Sequence, residues 1–408
     1  MQNLELLAPA GDIDKLKTAI DYGADAVFLA GKEYGLRTAS KNFSDEELKE
    51  AVEYAHSKGK KVYITMNIIA HNNDFTEVDE YIKYLDQIAI DGVIVADPGI
   101  FMRIKSLAPR IELHISTQAN ITNAETVNFW YELGARRVVL ARELSLEEIR
   151  YIRNNIPEDM ELEVFVHGAM CISYSGRCLL SNYMTNRDAN HGDCAQSCRW
   201  KYNLVEEKRP GEYYPIEEDE RGTFIFNSKD LCLLEHVGDL IDAGVNSFKI
   251  EGRVKTQYYV ATVIRSYRLA IDACLENRFT DEYKNYLLDE IKKASHRDFT
   301  KGFLNGKPGP EGQNYETSSY VRGYDFIAQI MDYDEESQMA LVEQRNKFSL
   351  GDKVEAFGPY EDYHEFTIDK IIDENGQEKD SAPHAQEMLK ININYPAKKG
   401  DMIRRKVD

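Results

Sequence analysis

The chain has 408 residues, 43% of them hydrophobic and 29% charged, which is ordinary for a globular protein of one large domain plus a small one. Its 50 basic and 70 acidic side chains leave a net charge of −20, so RNA binding needs a local basic surface. No stretch approaches the roughly 18 apolar residues that span a bilayer, and the start MQNLELLAPAGD has no signal-peptide character. A cytoplasmic protein with no membrane partner is expected, where clustered thiols favour metal or redox chemistry over disulfides.

Short β-rich runs recur along the chain at residues 4–8, 24–31, 61–67, 92–97, 111–116, 137–142, 162–167 and 247–252. Near-continuous apolar character suits strands covered on both faces, as in a parallel sheet. Amphipathic segments lie between them. Ser44 with Glu47, and Ser145 with Glu148, have capping-box spacing and predict helix starts. Eight such units within about 255 residues match the size of a (β/α)8 TIM-type barrel. An open doubly wound sheet fits less well, because no glycine-rich dinucleotide fingerprint follows the first strand.

Strand starts are mostly about 20 to 37 residues apart, but the seventh and eighth are separated by about 85. The excess, residues 171–230, follows the C-terminal end of a barrel strand, where barrel enzymes carry their chemistry. A long helix is expected from Lys255 to Glu276. The organisation expected is a barrel domain over 1–300, a glycine/proline linker over 301–319, and a small β-barrel over 320–408 with short alternating strands.

Five of the six cysteines fall between Cys171 and Cys232, spaced C-x6-C-x15-C-x3-C-x33-C. Only Cys194 and Cys198 have the close spacing of a zinc site. Irregular thiolates along a glycine-punctuated loop are at least as compatible with an iron–sulfur cluster, which takes four cysteines. Cys171, Cys178, Cys194, Cys198 and Cys232 therefore compete for four places, with Cys232 expected at the start of a helix. Cys274 suits a buried apolar role.

Polar residues stand at the strand ends, where a barrel aims them at a ligand: Asn67, Gln118, Arg142, His167, Lys249, Glu251 and Arg253. Strand alternation places Lys249, Glu251 and Arg253 on one face. They could clamp a carboxylate or phosphate, with Glu251 orienting the bases, or could form a buried structural ion-pair network. Arg37, in the Tyr34-Gly35-Leu36-Arg37 loop, is a further anion-binding candidate. Basic and aromatic residues in the cysteine segment, such as Arg187, Arg199, Trp200 and Tyr183, could hold an RNA loop or simply face solvent. No H-E-x-x-H, G-x-S-x-G or P-loop signature is present.

The stretch EVFVHGAMCISYSGRCLLS, residues 163–181, resembles the signature of the collagenase-like peptidases (peptidase family U32). The opening LLAPAG, the YGLR loop, Ser116-Thr117-Gln118 and the run FKIEGR ending at Arg253 are similar to that family as well. Residues 182–188 and 197–200 resemble most its tRNA hydroxylation branch. The resemblance covers essentially the whole chain. It implies a [4Fe–4S] cluster on four of the five cysteines, Cys198 or Cys232 being the fourth, and oxygen-independent hydroxylation of the tRNA wobble uridine to 5-hydroxyuridine with a need for prephenate. The partners expected are the tRNA anticodon loop, a small dianionic metabolite held by Lys249, Arg253 and Arg142, and an electron donor. His167 or Glu251 would move protons. Two alternatives are a peptidase, as the family label implies, and a cluster-carrying, non-catalytic partner of a hydroxylase complex.

Overall fold

The structure is a computed structural model and describes residues 4–31, 34, 42–170, 180–185, 187, 194–195, 197, 218–219, 222–223, 229–307, 320–359 and 363–407. The packing divides it into two compact units: Met1–Ile20, Ala24–Lys255 and Arg297–Ser319 make the first, and Asp21–Gly23, Thr256–His296 and Tyr320–Asp408 the second.

In the first unit the expected strands form in order: β1 (Glu5–Pro9), β2 (Ala26–Leu29), β3 (Lys61–Met66), β4 (Gly92–Val95), β5 (Glu112–Ile115), β6 (Arg137–Val139) and β7 (Glu161–Ala169). After β8 (Asp230–Cys232) comes β9 (Ser247–Ile250). Each of β1 to β6 pairs in parallel with the next, and β9 pairs in parallel with both β7 and β1, which closes an eight-stranded barrel. Leu7, Ala26, Phe28, Tyr63 and Ile94 form an apolar cluster of buried residues. The helix between β2 and β3 (Asp45–Ser57) begins in a capping box of Ser44 and Glu47, and that between β6 and β7 (Leu146–Asn154) in one of Ser145 and Glu148.

Cys232 does not start a helix. It ends β8, which pairs antiparallel with the protruding end of β7, Asp230 opposite Ala169 and Cys232 opposite His167. The physical reason is the length of β7: its nine residues outrun neighbours of three and four and leave backbone groups that a short apolar run can satisfy. A two-residue strand, β10 (Phe299–Thr300), pairs in parallel with β8. Asp230 anchors this corner through Arg297, whose backbone N–H, Nε and Nη2 donate to its carboxylate at 3.1, 3.1 and 2.6 Å.

The barrel interior also carries charge. Arg137 Nη1 donates to Glu5 at 2.5 Å and to Glu163 at 3.0 Å, and Lys249 Nζ donates to Glu163 at 2.6 Å. Tyr63 and Ser247 hydroxyls complete the carboxylates' hydrogen bonds. All four charged groups are less than a tenth exposed, and Arg137 Nε and Nη2 also donate to the Glu161 carboxylate at 2.9 and 2.7 Å. Burial works to raise the Glu163 carboxyl, but Lys249 and Arg137 outweigh it and hold its pKa below the ordinary 4.5.

The second unit joins two helices, Gln257–Leu275 and Asp281–Lys292, to an antiparallel sheet made of β11 (Tyr324–Asp334), β12 (Met339–Gln344), β13 (Lys353–Phe357), β14 (His364–Thr367), β15 (Ile371–Ile372), β16 (Met388–Asn392) and β17 (Met402–Lys406). Its strand order is β14-β13-β17-β11-β12-β16-β15. The helices belong here because Arg404, fully buried, bonds Glu290 of the second helix at 2.9 Å and Glu355 of β13 at 2.7 Å. Tyr258 also stacks on Phe326 at 5.5 Å. Composition changes only at the glycine/proline stretch near 301, whereas this packing draws the helices in from 256 onward.

Arg137→Met strips Glu5 and Glu163 of their shared cation, so a loss of about 3–5 kcal/mol is expected by denaturant unfolding. A loss no larger than that of a surface arginine substitution would contradict the network's role. The share of stability due to Glu163 is present above pH 4.5 and is lost as pH falls through its lowered folded value.

Candidate active site at the barrel mouth

The C-terminal ends of the barrel strands surround a cavity of about 510 Å³, its solvent-open part included. Phe28, Thr65, Ile94 and Phe165 contribute walls from β2, β3, β4 and β7; Asn67, the Ser116–Gln118 turn, Lys249, Glu251 and Arg253 contribute polar groups. Five of the expected site residues therefore meet here: Asn67, Gln118, Lys249, Glu251 and Arg253.

The amide groups are ordered among themselves. Asn67 Nδ2 donates to Ser116 Oγ at 3.3 Å and to Gln118 Oε1 at 3.2 Å, and the Ser116 hydroxyl donates to the same Gln118 oxygen. Ser116 N-caps the 3-10 turn Thr117–Ala119, and Asn120, in the left-handed region at φ 53°, ends it. A turn so fixed presents Gln118 to the cavity with little freedom.

Lys249 sits in the lining with its ammonium 4.6 Å from the Phe28 ring centre and 5.4 Å from that of Phe165. Burial lowers its pKa, and Glu163 restores it only in part. Its carboxylate partner is thus Glu163, on the neighbouring strand, and not Glu251. The Glu251 carboxylate instead accepts from Ala169 N–H at 3.4 Å, two residues before Cys171 in the chain.

Two glycines make these approaches possible. A Cβ on Gly168, at φ 113°, would stand 2.7 Å from the Glu251 Cβ and 2.8 Å from its carbonyl oxygen. A Cβ on Gly11 would stand 2.1 Å from the Arg253 carbonyl oxygen. The LAPAG and HGA phrases therefore seat the segment that carries Glu251 and Arg253.

Arg142 and His167 lie beside the mouth rather than in its lining. Arg142 Nη1 donates to the Ala169 carbonyl at 2.9 Å, with its guanidinium 5.5 Å from the Phe165 ring centre, so it ties down the end of β7. His167 is buried, edge-on to Phe299 at 5.5 Å, with Cys232 opposite it across β7 and β8. Cys232 is buried and Cys194 exposed. Arg37, Cys171, Cys178 and Cys198 lie outside the described residues. Among the described residues no three His, Cys, Asp or Glu side chains gather as a metal site. Of the three described thiols, Cys274 lies on a helix of the second unit, and the other two fit a thiolate-bound group by donor chemistry, Cys232 from β8 and Cys194 from the insertion.

Sequence reasoning missed Glu5, Arg137 and Glu163 as the groups that set Lys249. Their signal is a charged residue at an inward position of an otherwise apolar strand, which needs a buried partner.

Two family models match the chain: peptidase family U32 over residues 11–314, and the peptidase family U32 C-terminal domain over residues 322–404. The chain belongs to that family of barrel proteins. It is 44% identical to tRNA hydroxylation protein P1 of Bacillus subtilis strain 168, over 98% of this chain and 94% of that one. It is 38% identical to tRNA hydroxylation protein P of Escherichia coli K12, over 93% and 91%. The 23S rRNA 5-hydroxycytidine C2501 synthase of E. coli K12 is also 38% identical, over 76% of this chain and 46% of that protein. Among the described residues no helix is long and apolar enough to cross a membrane.

Gly168→Ala is expected to lower the melting temperature clearly more than Gly59→Ala, because Gly59 shares the positive φ, at 67°, but has nothing within 4 Å of an added Cβ. Equal losses would show that backbone strain alone matters at Gly168 and that Glu251 is not held by close approach.

Proposed function

We infer that this chain is an iron–sulfur RNA-modifying enzyme that hydroxylates the wobble uridine of tRNA to 5-hydroxyuridine without dioxygen, with prephenate as a required metabolite, in the cytoplasm. The observation that carries this reading is end-to-end similarity to two proteins named for tRNA hydroxylation, at 44% and 38% identity. Similarity to a 5-hydroxycytidine synthase supports position 5 of a pyrimidine as the target.

The geometry suits such a reaction. A base must leave its stack to be modified, and the mouth cavity is open to solvent at the strand ends. The linked amides of Asn67 and Gln118 offer donors and an acceptor to a base edge, while Phe28 and Phe165 give apolar walls. Arg253 and Lys249 place positive charge in the same lining for a carboxylated metabolite. Arg142 serves this site indirectly by fixing the end of β7, and Arg37 is a further anion contact from its loop. Glu251 in the lining, or His167 beside Cys232, moves the proton released from the pyrimidine.

Cys171, Cys178 and Cys194, with Cys198 or Cys232 as the fourth, would hold a [4Fe–4S] cluster, which supplies one-electron chemistry when bound. The remaining partners are the anticodon loop of tRNA and an electron donor. The acidic surface as a whole makes RNA contact depend on local basic groups.

Expression of this chain in a bacterial host whose tRNA 5-hydroxyuridine has been abolished is the test. Nucleoside mass spectrometry is expected to show 5-hydroxyuridine restored, and the protein purified without air to be brown, with iron and sulfide. A colourless, iron-free protein that restores nothing and cleaves gelatin would replace this reading with the peptidase one.

A further inference from the structure

A lysine buried to 4% exposure that also lines a cavity has more uses than charge balance. The Lys249 Nζ has aromatic rings on two sides, which keep bulk water away. On its third side Glu163 Oε1 accepts from it at 2.6 Å, within reach for proton exchange. Burial weakens the hold of the amine on its proton, the condition in which lysine acts as a nucleophile. Arg253 stands in the same lining, where its guanidinium suits a carboxylate. A ligand that satisfies both groups has a carbonyl carbon next to a carboxylate.

We propose that Lys249 forms a covalent imine with a 2-oxo acid in the barrel mouth, Arg253 binding the acid's carboxylate. The ammonium gives one proton to Glu163. The free amine attacks the 2-oxo carbon, a C–N bond forms, and the carbonyl electron pair moves to oxygen, which takes a proton from the attacking nitrogen. The carbinolamine then loses that oxygen as water, using the proton returned by Glu163, and leaves a protonated imine. One ammonium and one ketone thus give one iminium and one water, with no redox change. The linkage fixes the metabolite at the floor of the site and acidifies the carbon beside the imine. Glu163 carries the proton in this scheme, and Arg137 is a positioning residue, because it holds Glu163 and does not touch the ligand.

The proposal deepens the metabolite half of the proposed function, which it rests on, yet its readout needs no RNA and no turnover. The purified full-length protein is incubated with pyruvate, then with prephenate, and each sample is reduced with borohydride. Peptide mass spectrometry is expected to find on Lys249 a gain equal to the added acid less one oxygen atom, and to find it lost in Lys249→Arg. That variant keeps a cation for Glu163, and its melting temperature reports its folding. Because the peptide map of the wild-type protein locates the adduct by itself, the test stands even if the variant does not fold. No adduct with either acid, or adducts spread over surface lysines with none on Lys249, overturns the proposal. Restored 5-hydroxyuridine in cells together with an unmodified Lys249 would overturn the imine while leaving RNA hydroxylation in place.

Discussion

The mouth of the barrel rests on a carboxylate, Glu163, shared between two buried cations. Arg137 holds it at 3.0 Å and Lys249 at 2.6 Å, and Arg137 reaches on to Glu5 in β1. The network joins β1, β6, β7 and β9, so it fixes register across the seam where the barrel closes. Replacing the set by apolar side chains could cost little, but removing Arg137 alone leaves the buried Glu5 carboxylate with hydroxyl donors and no cation. That asymmetry makes the four residues a unit and gives Lys249 one defined place in the cavity lining.

From this frame the chemistry is built outward. β7 carries Glu163 to the buried ion network and Phe165 to the cavity, then His167 and Gly168 past Cys232 and Glu251, and ends two residues before Cys171. The same strand therefore links the ion network, the cavity wall and the start of the cysteine segment. β8 returns the chain antiparallel along that end, held by the Asp230–Arg297 pair, and seats Cys232 opposite His167. Displacing β7 would disturb all three features together.

The barrel was readable because buried parallel strands leave apolar runs, and because Ser44–Glu47 and Ser145–Glu148 mark helix starts by spacing alone. The convergence of Asn67, Gln118, Lys249, Glu251 and Arg253 followed from strand-end position. The partner of Lys249 did not, because Glu163 stands 86 residues away and only barrel closure brings it beside β9. The Cys232 segment misled for a similar reason: Asp-Leu-Cys-Leu-Leu suits a helix locally, while the unpaired end of β7 makes it a strand. The grouping of two helices with the C-terminal sheet depends on Arg404, whose contact with Glu290 spans 114 residues.

If the reaction takes place in this mouth, filling the cavity must stop it without unfolding the protein. Gln118 is half-buried at its edge, so Gln118→Trp adds bulk where a base would enter. The decisive measurement is the 5-hydroxyuridine content of tRNA in the 5-hydroxyuridine-free host expressing that variant at wild-type level and melting temperature. A mouth-centred reaction predicts content at the background of the host. Content equal to that given by the wild-type chain would contradict it and move the chemistry elsewhere on the protein.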